Sequence, residues 1–116
     1  MKENHVTIEE SLYADVYVGY PVKGSFTYQV PADVHVQPGM RVKVHFKNRV
    51  TRGFVHHVHD QKPDFPGLKM LHSVIDSEPI FDHRLVHLAR YVADSYVCET
   101  GEAMSMALPS GDKPSN

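Results

Sequence analysis

Hydrophobic and polar residues alternate through the first half of the chain. Residues 14–22, "ADVYVGYPV", alternate valines with polar or small neighbours, and residues 25–30, "SFTYQV", follow after a turn-compatible Lys-Gly pair. In the second segment Phe26 and Tyr28 share one face and Thr27 lies on the other. Because a period of two is typical of strands with one buried face, the segments predict a β-hairpin or a bent pair of strands.

Two more strands are predicted after a Pro-Gly turn. Residues 41–46, "RVKVHF", alternate strictly, and residues 48–60, "NRVTRGFVHHVHD", form a second apolar run in which Gly53 marks a bulge or a close approach. Residues 69–76, "KMLHSVID", are compatible with one more strand after a loop rich in proline and glycine. The alternation within residues 41–46 places Val42, Val44 and Phe46 on the core side. It places Arg41, Lys43 and His45 on the outer side.

The hydrophobic period changes from two to between three and four after residue 79. It predicts one amphipathic helix over residues 82–97 with Asp82 as its N-cap, and a short second helix in "GEAMSMAL" that ends before Pro109. The side chains expected to form the buried stripe of the first helix are Phe81, Leu85, Leu88, Val92 and Tyr96, with Val86 and Ala89 widening it.

These elements predict an α+β fold. We expect a small bent antiparallel β-sheet, or a partly closed β-barrel, with a C-terminal amphipathic helix. The expected organisation is an N-terminal arm over residues 1–13, one domain over residues 14–109 and a linker or tail over residues 110–116.

Composition narrows the class of protein. The chain has 116 residues, of which 41% are hydrophobic and 22% charged, as in an ordinary globular domain. Its first residues, "MKENHVTIEE", lack the apolar segment of a signal peptide, and no run approaches the roughly 18 apolar residues of a membrane span. Cys98 is the single cysteine, which fits a reducing compartment. We therefore expect a cytoplasmic protein without a membrane partner.

The formal net charge is only −2, so a polyanion would have to bind at a local patch. Residues 41–52, "RVKVHFKNRVTR", contain five basic residues and no acidic one. Two interpretations remain open. The stretch is either a solvated strand face or a surface that binds phosphates, since clustered cations release counterions from a polyanion even on an acidic chain.

Signals for catalysis or metal binding are weak. The chain lacks the phosphate-binding, hydrolase and zinc-protease motifs, and Cys98 is best explained as a small packed hydrophobe. His57 and His59 with the adjacent Asp60 could bind a metal, and so could His83 and His87 on the helix, but solvent-facing histidines are more common in both settings. We therefore expect no metal site, no cofactor and no catalytic residue.

The order and spacing of several short motifs resemble a known family. "FxYxVP", "PGxRVxV" and a Leu-Lys pair before "VIDxEP" follow one another at a spacing similar to that of the N-terminal 3′-end DNA-binding domain of PriA, the primosomal protein N′. The resemblance runs from residue 14 to residue 109. In that family the domain continues into a winged-helix region, a superfamily-2 helicase and a zinc-binding insertion, so we expect this chain to be one non-catalytic module of a longer helicase.

The resemblance implies a pocket for the 3′-terminal nucleotide of the nascent leading strand at a stalled replication fork. Phe26 matches the aromatic residue of that pocket and Lys69 its lysine, while Thr27 replaces the usual aspartate and Lys47 the usual glycine. By this resemblance Phe26 stacks near the terminal base, Thr27 faces the pocket rim and Tyr28 packs inside or braces the rim. Together with the basic stretch, the predicted DNA-binding residues are Phe26, Thr27, Tyr28, Lys43, Lys47, Arg49, Arg52 and Lys69.

The implied partners are fork DNA with a nascent 3′ end, single-stranded DNA, the remainder of the helicase and other primosomal proteins. Three alternatives stay open. Phe26 could be only a core residue. The domain could be a protein-interaction module of the primosome that does not discriminate 3′-OH ends, docking through the acidic helix end at Asp94, Glu99 and Glu102. A small enzyme is the third class.

Overall fold

The residues that the structure describes, 11–64 and 66–108 of a computed structural model, form five β-strands followed by two α-helices. The predicted tail over residues 110–116 and most of the predicted N-terminal arm lie outside these residues. The strands pair antiparallel in the order β2-β1-β4-β3-β5, and the sheet is open, so the α+β prediction is confirmed. The elements are β1 (Leu12–Val18), β2 (Phe26–Val30), β3 (Arg41–Phe46), β4 (Arg49–His59), β5 (Ser73–Val74), α1 (His83–Ser95) and α2 (Thr100–Ala107).

The predicted first hairpin is present, although β1 ends earlier than residue 22. Strands β1 and β2 pair from Leu12 opposite Val30 to Val16 opposite Phe26. After Val18 the chain leaves the ladder through local turns, and Gly24 takes the left-handed φ of 82° that glycine adopts without steric cost. The connection between β1 and β2 is therefore a longer loop than the alternating pattern indicated.

The inner face of the sheet holds the main core, as the alternation predicted. Val42 and Val44 of β3 are fully buried there, and Phe46 packs at the margin of the same cluster. The buried members of this cluster are Ala14, Val16, Val18, Tyr28, Val30, Val36, Val42, Val44, Val55 and Leu71. Gly53 makes the close approach that the sequence suggested, because a Cβ atom there would collide with Val16.

The outer face is partly covered by the two helices. Tyr17 and Phe54 of the sheet pack against Val86 and Ala89 of α1 and against α2. Asp82 is the N-cap of α1, as predicted, since its side chain accepts a hydrogen bond from the Arg84 backbone N–H at 2.9 Å. In the described part of the chain, neither helix is long and apolar enough to cross a membrane.

The predicted buried stripe of α1 is wrong in its centre. Leu88 is 56% exposed and Tyr96 is 70% exposed, whereas Val86 and Ala89 are buried. Leu85 and Val92 pack at the margin of the second cluster. The helix therefore presents an arc centred on Val86 and Ala89 to the sheet.

The strand predicted over residues 69–76 is mostly a bridging segment. The backbone N–H of Gln29 in β2 donates to the Lys69 carbonyl at 2.8 Å, and the Leu71 N–H donates to the Gln29 carbonyl at 3.0 Å. The His72 N–H then donates to the carbonyl of Lys43 in β3 at 2.8 Å. Residues 69–72 thus connect the two sides of the sheet, and only Ser73–Val74 form a regular strand.

Arg41 does not join the solvent-facing basic row that the alternation predicted. It is fully buried, and its Nη2 atom lies 2.8 Å from Oδ1 of Asp76, while its backbone N–H and Nε both donate to Oδ2 at 2.9 Å. A guanidinium can be buried when a carboxylate satisfies its charge and its donors in this way. The basic surface is accordingly smaller than the five-residue stretch suggested.

Candidate functional site

A tight turn between β3 and β4 forms one side of the candidate site. Phe46 pairs with Arg49, which leaves Lys47 and Asn48 as a two-residue loop. Both loop residues have positive φ, 51° and 64° respectively. A two-residue hairpin loop of this twist requires left-handed backbone at both positions, where glycine, asparagine and aspartate are favoured. Lys47 therefore stands at a position that suits glycine, which is the residue that the family resemblance implies there.

Next to this turn lies a cavity of about 380 Å³ with aromatic walls. The rings of Phe26 and Phe46 are 5.1 Å apart between centroids and tilted by 57°. Tyr28 is buried, its hydroxyl donates to the His45 carbonyl at 3.2 Å, and burial raises its pKa. Aromatic faces with a fixed, largely apolar surround are suited to stacking against a planar ligand group.

Two exposed lysines border the same cavity from different segments. Lys47 comes from the β3–β4 turn, and its Nζ lies 5.9 Å from the centre of the Phe46 ring. Lys69 comes from the segment that bridges to β2. The cavity thus combines aromatic surface with two exposed cations at its rim. Five predicted residues line it: Phe26, Thr27, Tyr28, Lys47 and Lys69.

Thr27 borders the cavity through β2, but its hydroxyl points to the outer face of the sheet. There its Oγ1 donates to Oδ1 of Asp15 at 2.6 Å. Partial burial by itself would raise the pKa of Asp15, but the hydrogen bonds from Thr27, His59 and His57 together lower it below its ordinary value. Asp15 is therefore ionised at neutral pH and holds the Thr27 hydroxyl in a fixed orientation.

The remaining predicted cations are divided between two places. Arg49 is exposed beside the β3–β4 turn, at the position paired with Phe46. Lys43 of β3 and Arg52 of β4 occupy directly opposite positions in the strand register, on the outer face of the sheet. Arg52 donates to the Ser105 side chain and carbonyl, its guanidinium lies 5.5 Å from the Phe54 ring centre, and burial followed by the charge of Arg41 lowers its pKa. Arg52 consequently also anchors α2 to the sheet.

Two residues at the site, Asp15 and Phe46, carry no recognisable signal for it in the sequence, where Phe46 is indicated only as a core residue. Asp15 can be recognised only from the register of the β1–β2 hairpin, because that register places Asp15 directly opposite Thr27. Phe46 alternates with the core valines and also reaches the cavity at the end of β3. A residue at a strand end can belong to both surfaces, which a period of two does not reveal.

The acidic helix end has a structural role in part. Glu99 and Glu102 form a capping box at the start of α2, with the Glu99 N–H donating to the Glu102 carboxylate at 2.9 Å. Cys98 packs at the margin of the helix-side cluster, as expected for a small hydrophobe. Asp94 is exposed.

A larger cavity, of about 460 Å³, lies between α1 and the sheet, but it contains none of the predicted DNA-binding residues. His56 and Arg90 line it together with apolar side chains such as Phe81 and Val86. Burial lowers the pKa of His56, which favours its neutral form. This cavity therefore offers less positive charge to a nucleic acid than the cavity beside Lys47 and Lys69.

Comparison with known families decides the class of the domain. Residues 15–109 match the model of the PriA 3′ DNA-binding domain, described as "3'DNA-binding domain (3'BD)". The chain belongs to this family of DNA-binding domains. The predicted resemblance to PriA is thereby confirmed over nearly all of the described residues.

Curated relatives agree with the family assignment. The chain is 35% identical over 98 residues to "Replication restart protein PriA" of Treponema pallidum, covering 78% of this chain and 15% of the relative. It is 31% identical over 87 residues to "Probable replication restart protein PriA" of Mycobacterium tuberculosis, covering 73% of this chain and 13% of the relative. The chain thus spans only about one seventh of the length of these relatives.

Proposed function

We propose that this domain binds the 3′ end of the nascent leading strand at stalled replication forks, as the DNA-binding module of a replication restart helicase. The observation that carries the proposal is the aromatic cavity beside Lys47 and Lys69, found in a member of the PriA 3′ DNA-binding domain family. Replication restart is the role named for both relatives. With DNA as its ligand, the domain works in the bacterial cytoplasm.

The terminal base stacks on Phe26 within the cavity. Phe46 packs against that ring, with 5.1 Å between centroids, and this contact restricts the orientation of Phe26 before the DNA arrives. Stacking uses the π-face that every base has, and the contact is therefore tolerant of sequence. Lys47 and Lys69 contact the phosphates next to the terminal nucleotide, and Arg49 adds positive charge on the same side.

The terminal 3′-OH is recognised by Thr27. Because its hydroxyl proton is donated to Asp15, both Thr27 lone pairs remain available as acceptors, and the negative charge of Asp15 strengthens them. Thr27 lines the cavity near the start of β2 while its hydroxyl is turned toward Asp15 on the outer face, so the terminal sugar has to pass the edge of β2 to meet this hydroxyl. A 3′-phosphate, which has no proton to donate in its ionised form, loses this contact and meets the carboxylate behind it.

Fluorescence anisotropy with forks that carry either a 3′-OH or a 3′-phosphate tests this mechanism, with EDTA present to exclude metal effects. Phe26→Ala should weaken binding to both forks by about 1–3 kcal/mol, because stacking is lost for any terminal base. Thr27→Val, which removes the hydroxyl at nearly constant volume, should instead reduce the preference for the 3′-OH fork. An aspartate at position 27 is a poorer test, since it would stand beside Asp15 and meet like-charge repulsion.

Tyr91→Ala is the matched control, because Tyr91 is an aromatic residue on α1 with 69% exposure and does not line the cavity. It should bind both forks as the unmodified chain does. If Phe26→Ala and Thr27→Val also bind both forks normally, the cavity is not the site for the 3′ end.

A protein-docking role is a second candidate, supported by exposed apolar side chains on the two helices. Leu88, Tyr91 and Met106 are 56%, 69% and 74% exposed. In a docking role the helices would contact the remainder of the helicase or other primosomal proteins. Binding to DNA that ignored the chemistry of the 3′ end and depended little on salt would favour docking over end recognition.

A further inference from the structure

Two histidines and a carboxylate converge on the outer face of the sheet. Asp15 on β1 is paired with His57 on β4, and His59 lies two residues farther along β4 on the same face. Nδ1 of His57 is 3.3 Å from Oδ2 of Asp15, and Nε2 of His59 is 3.2 Å from Oδ1. One ligand atom from each of the three residues lies within 4.8 Å of the others.

These separations suit a shared metal ion. In a tetrahedral zinc site with bonds of about 2.0–2.2 Å, neighbouring ligand atoms are about 3.3–3.5 Å apart. Each carboxylate oxygen of Asp15 lies at hydrogen-bond distance from one imidazole in the metal-free form, and one ligand atom from each residue lies within 4.8 Å of the others, close to the spacing of co-ligands. We infer that Asp15, His57 and His59 bind one divalent transition-metal ion of the Zn²⁺ type, with a fourth position open to water.

The protein already orients the carboxylate as a ligand. Thr27 donates to Oδ1 of Asp15 at 2.6 Å, which is the kind of outer hydrogen bond that fixes metal-bound carboxylates. Tyr13 stacks on the ring of His59, with 6.1 Å between centroids, and restricts its rotation.

The open position faces solvent, since the side chain of His57 is 61% exposed while that of His59 is 21% exposed. An ion can therefore reach the site without opening the fold. Metal binding has one identifiable cost. The Gln61 N–H donates to Nδ1 of His59 at 3.2 Å, so Nε2 carries the ring proton in the metal-free form. Coordination through Nε2 moves that proton to Nδ1, and water replaces the exposed Gln61 contact.

Titration of the untagged, EDTA-treated chain with Zn²⁺ and Co²⁺ tests the inference. One ion per chain should bind, and bound Co²⁺ should give the intense visible absorption of a tetrahedral site. His57→Ala should weaken Zn²⁺ binding by about tenfold or more, because it removes a ligand. Thr27→Val should also weaken it by about tenfold, because it removes the hydrogen bond that orients the Asp15 carboxylate. Nitrogen-15 NMR of His59 should show the ring proton moving from Nε2 to Nδ1 when Zn²⁺ is added.

The double variant His83→Ala/His87→Ala is the matched control, because it also removes two neighbouring histidines, whose rings are 6.1 Å apart on α1. It should retain the Zn²⁺ affinity of the unmodified chain. Circular dichroism checks that each variant is folded. Unchanged affinity in folded His57→Ala, or loss of binding in the α1 double variant, would overturn the inference. Because the DNA titrations contain EDTA, this result is independent of 3′-end recognition.

Discussion

At the scale of single residues, Lys47 has an unfavourable backbone conformation and places a positive charge beside the cavity. Its φ of 51° is left-handed, a conformation that costs an ordinary residue about 1–2 kcal/mol. The family resemblance implies a glycine where this chain has Lys47, and the left-handed backbone of the turn explains why glycine suits the position. The chain therefore holds a cation at the cavity rim at the expense of backbone stability.

Lys47→Gly should relieve this strain. We expect the free energy of unfolding to rise by about 0.5–1 kcal/mol, because the greater freedom of glycine in the unfolded chain offsets part of the gain. The same variant should reduce the log–log salt slope of DNA binding by about one, through the loss of one phosphate contact. Urea denaturation and anisotropy at several salt concentrations measure the two effects.

Lys47→Gln separates the two effects, because glutamine removes the charge and keeps a side chain in the left-handed conformation. It should reduce the salt slope as Lys47→Gly does and leave stability nearly unchanged. Equal stability of the two variants would show that the turn is not strained at Lys47.

The site itself was only partly predictable from sequence. The family resemblance implied Phe26 and Lys69 as site residues, and the structure places both on one cavity. Asp15 was not found, because its contact with Thr27 depends on the exact register of β1 against β2. Register follows from the turn and from core packing, and neither is visible in a pattern of alternating residues.

At the scale of elements, α1 shows how periodicity can identify a helix without fixing its buried face. Apolar residues occupy much of its circumference, so arcs centred on Leu88 or on Val86 fit the spacing almost equally well. The sheet decides between them, since Tyr17 and Phe54 offer an apolar surface to Val86 and Ala89. Leu88 remains 56% exposed as a result.

Val86→Ala should lower the free energy of unfolding by about 1–3 kcal/mol, because it removes buried methyl groups and leaves a small cavity. Leu88→Ala on the same helix should change it by less than about 0.5 kcal/mol, as is usual for an exposed site. Thermal melts of both variants, followed by circular dichroism, provide the comparison. A larger loss of stability in Leu88→Ala than in Val86→Ala would show that Leu88 lies on the buried face of the helix, as the periodicity predicted.

At the scale of the whole molecule, the buried pair of Arg41 and Asp76 joins two segments that are far apart in sequence. Arg41 belongs to the "PGxRVxV" motif and Asp76 to "VIDxEP". The Ile75 N–H also donates to the Arg41 carbonyl at 2.9 Å, next to the short β3–β5 pairing. Strand alternation could not predict this burial, because it depends on a carboxylate supplied 35 residues later.

Asp76→Asn should lower the free energy of unfolding by about 3–5 kcal/mol, since it leaves the charge of Arg41 buried without its counterion. Arg84→Gln provides the contrast, because the pair it breaks with Asp82 is solvent-exposed on both sides and should matter little. Urea denaturation at neutral pH measures both. Equal denaturation midpoints for the two variants would contradict a structural role for the buried pair.

The bridging residues 69–72 also affect how copies of the domain behave toward one another. An edge strand with free N–H and C=O groups is a template for pairing with a strand of another chain. In β2 both backbone groups of Gln29 are already bonded to the bridging segment, and on the other side of the sheet β3 is bordered by β5. The segment that carries Lys69 to the cavity therefore also protects the domain against edge-to-edge aggregation.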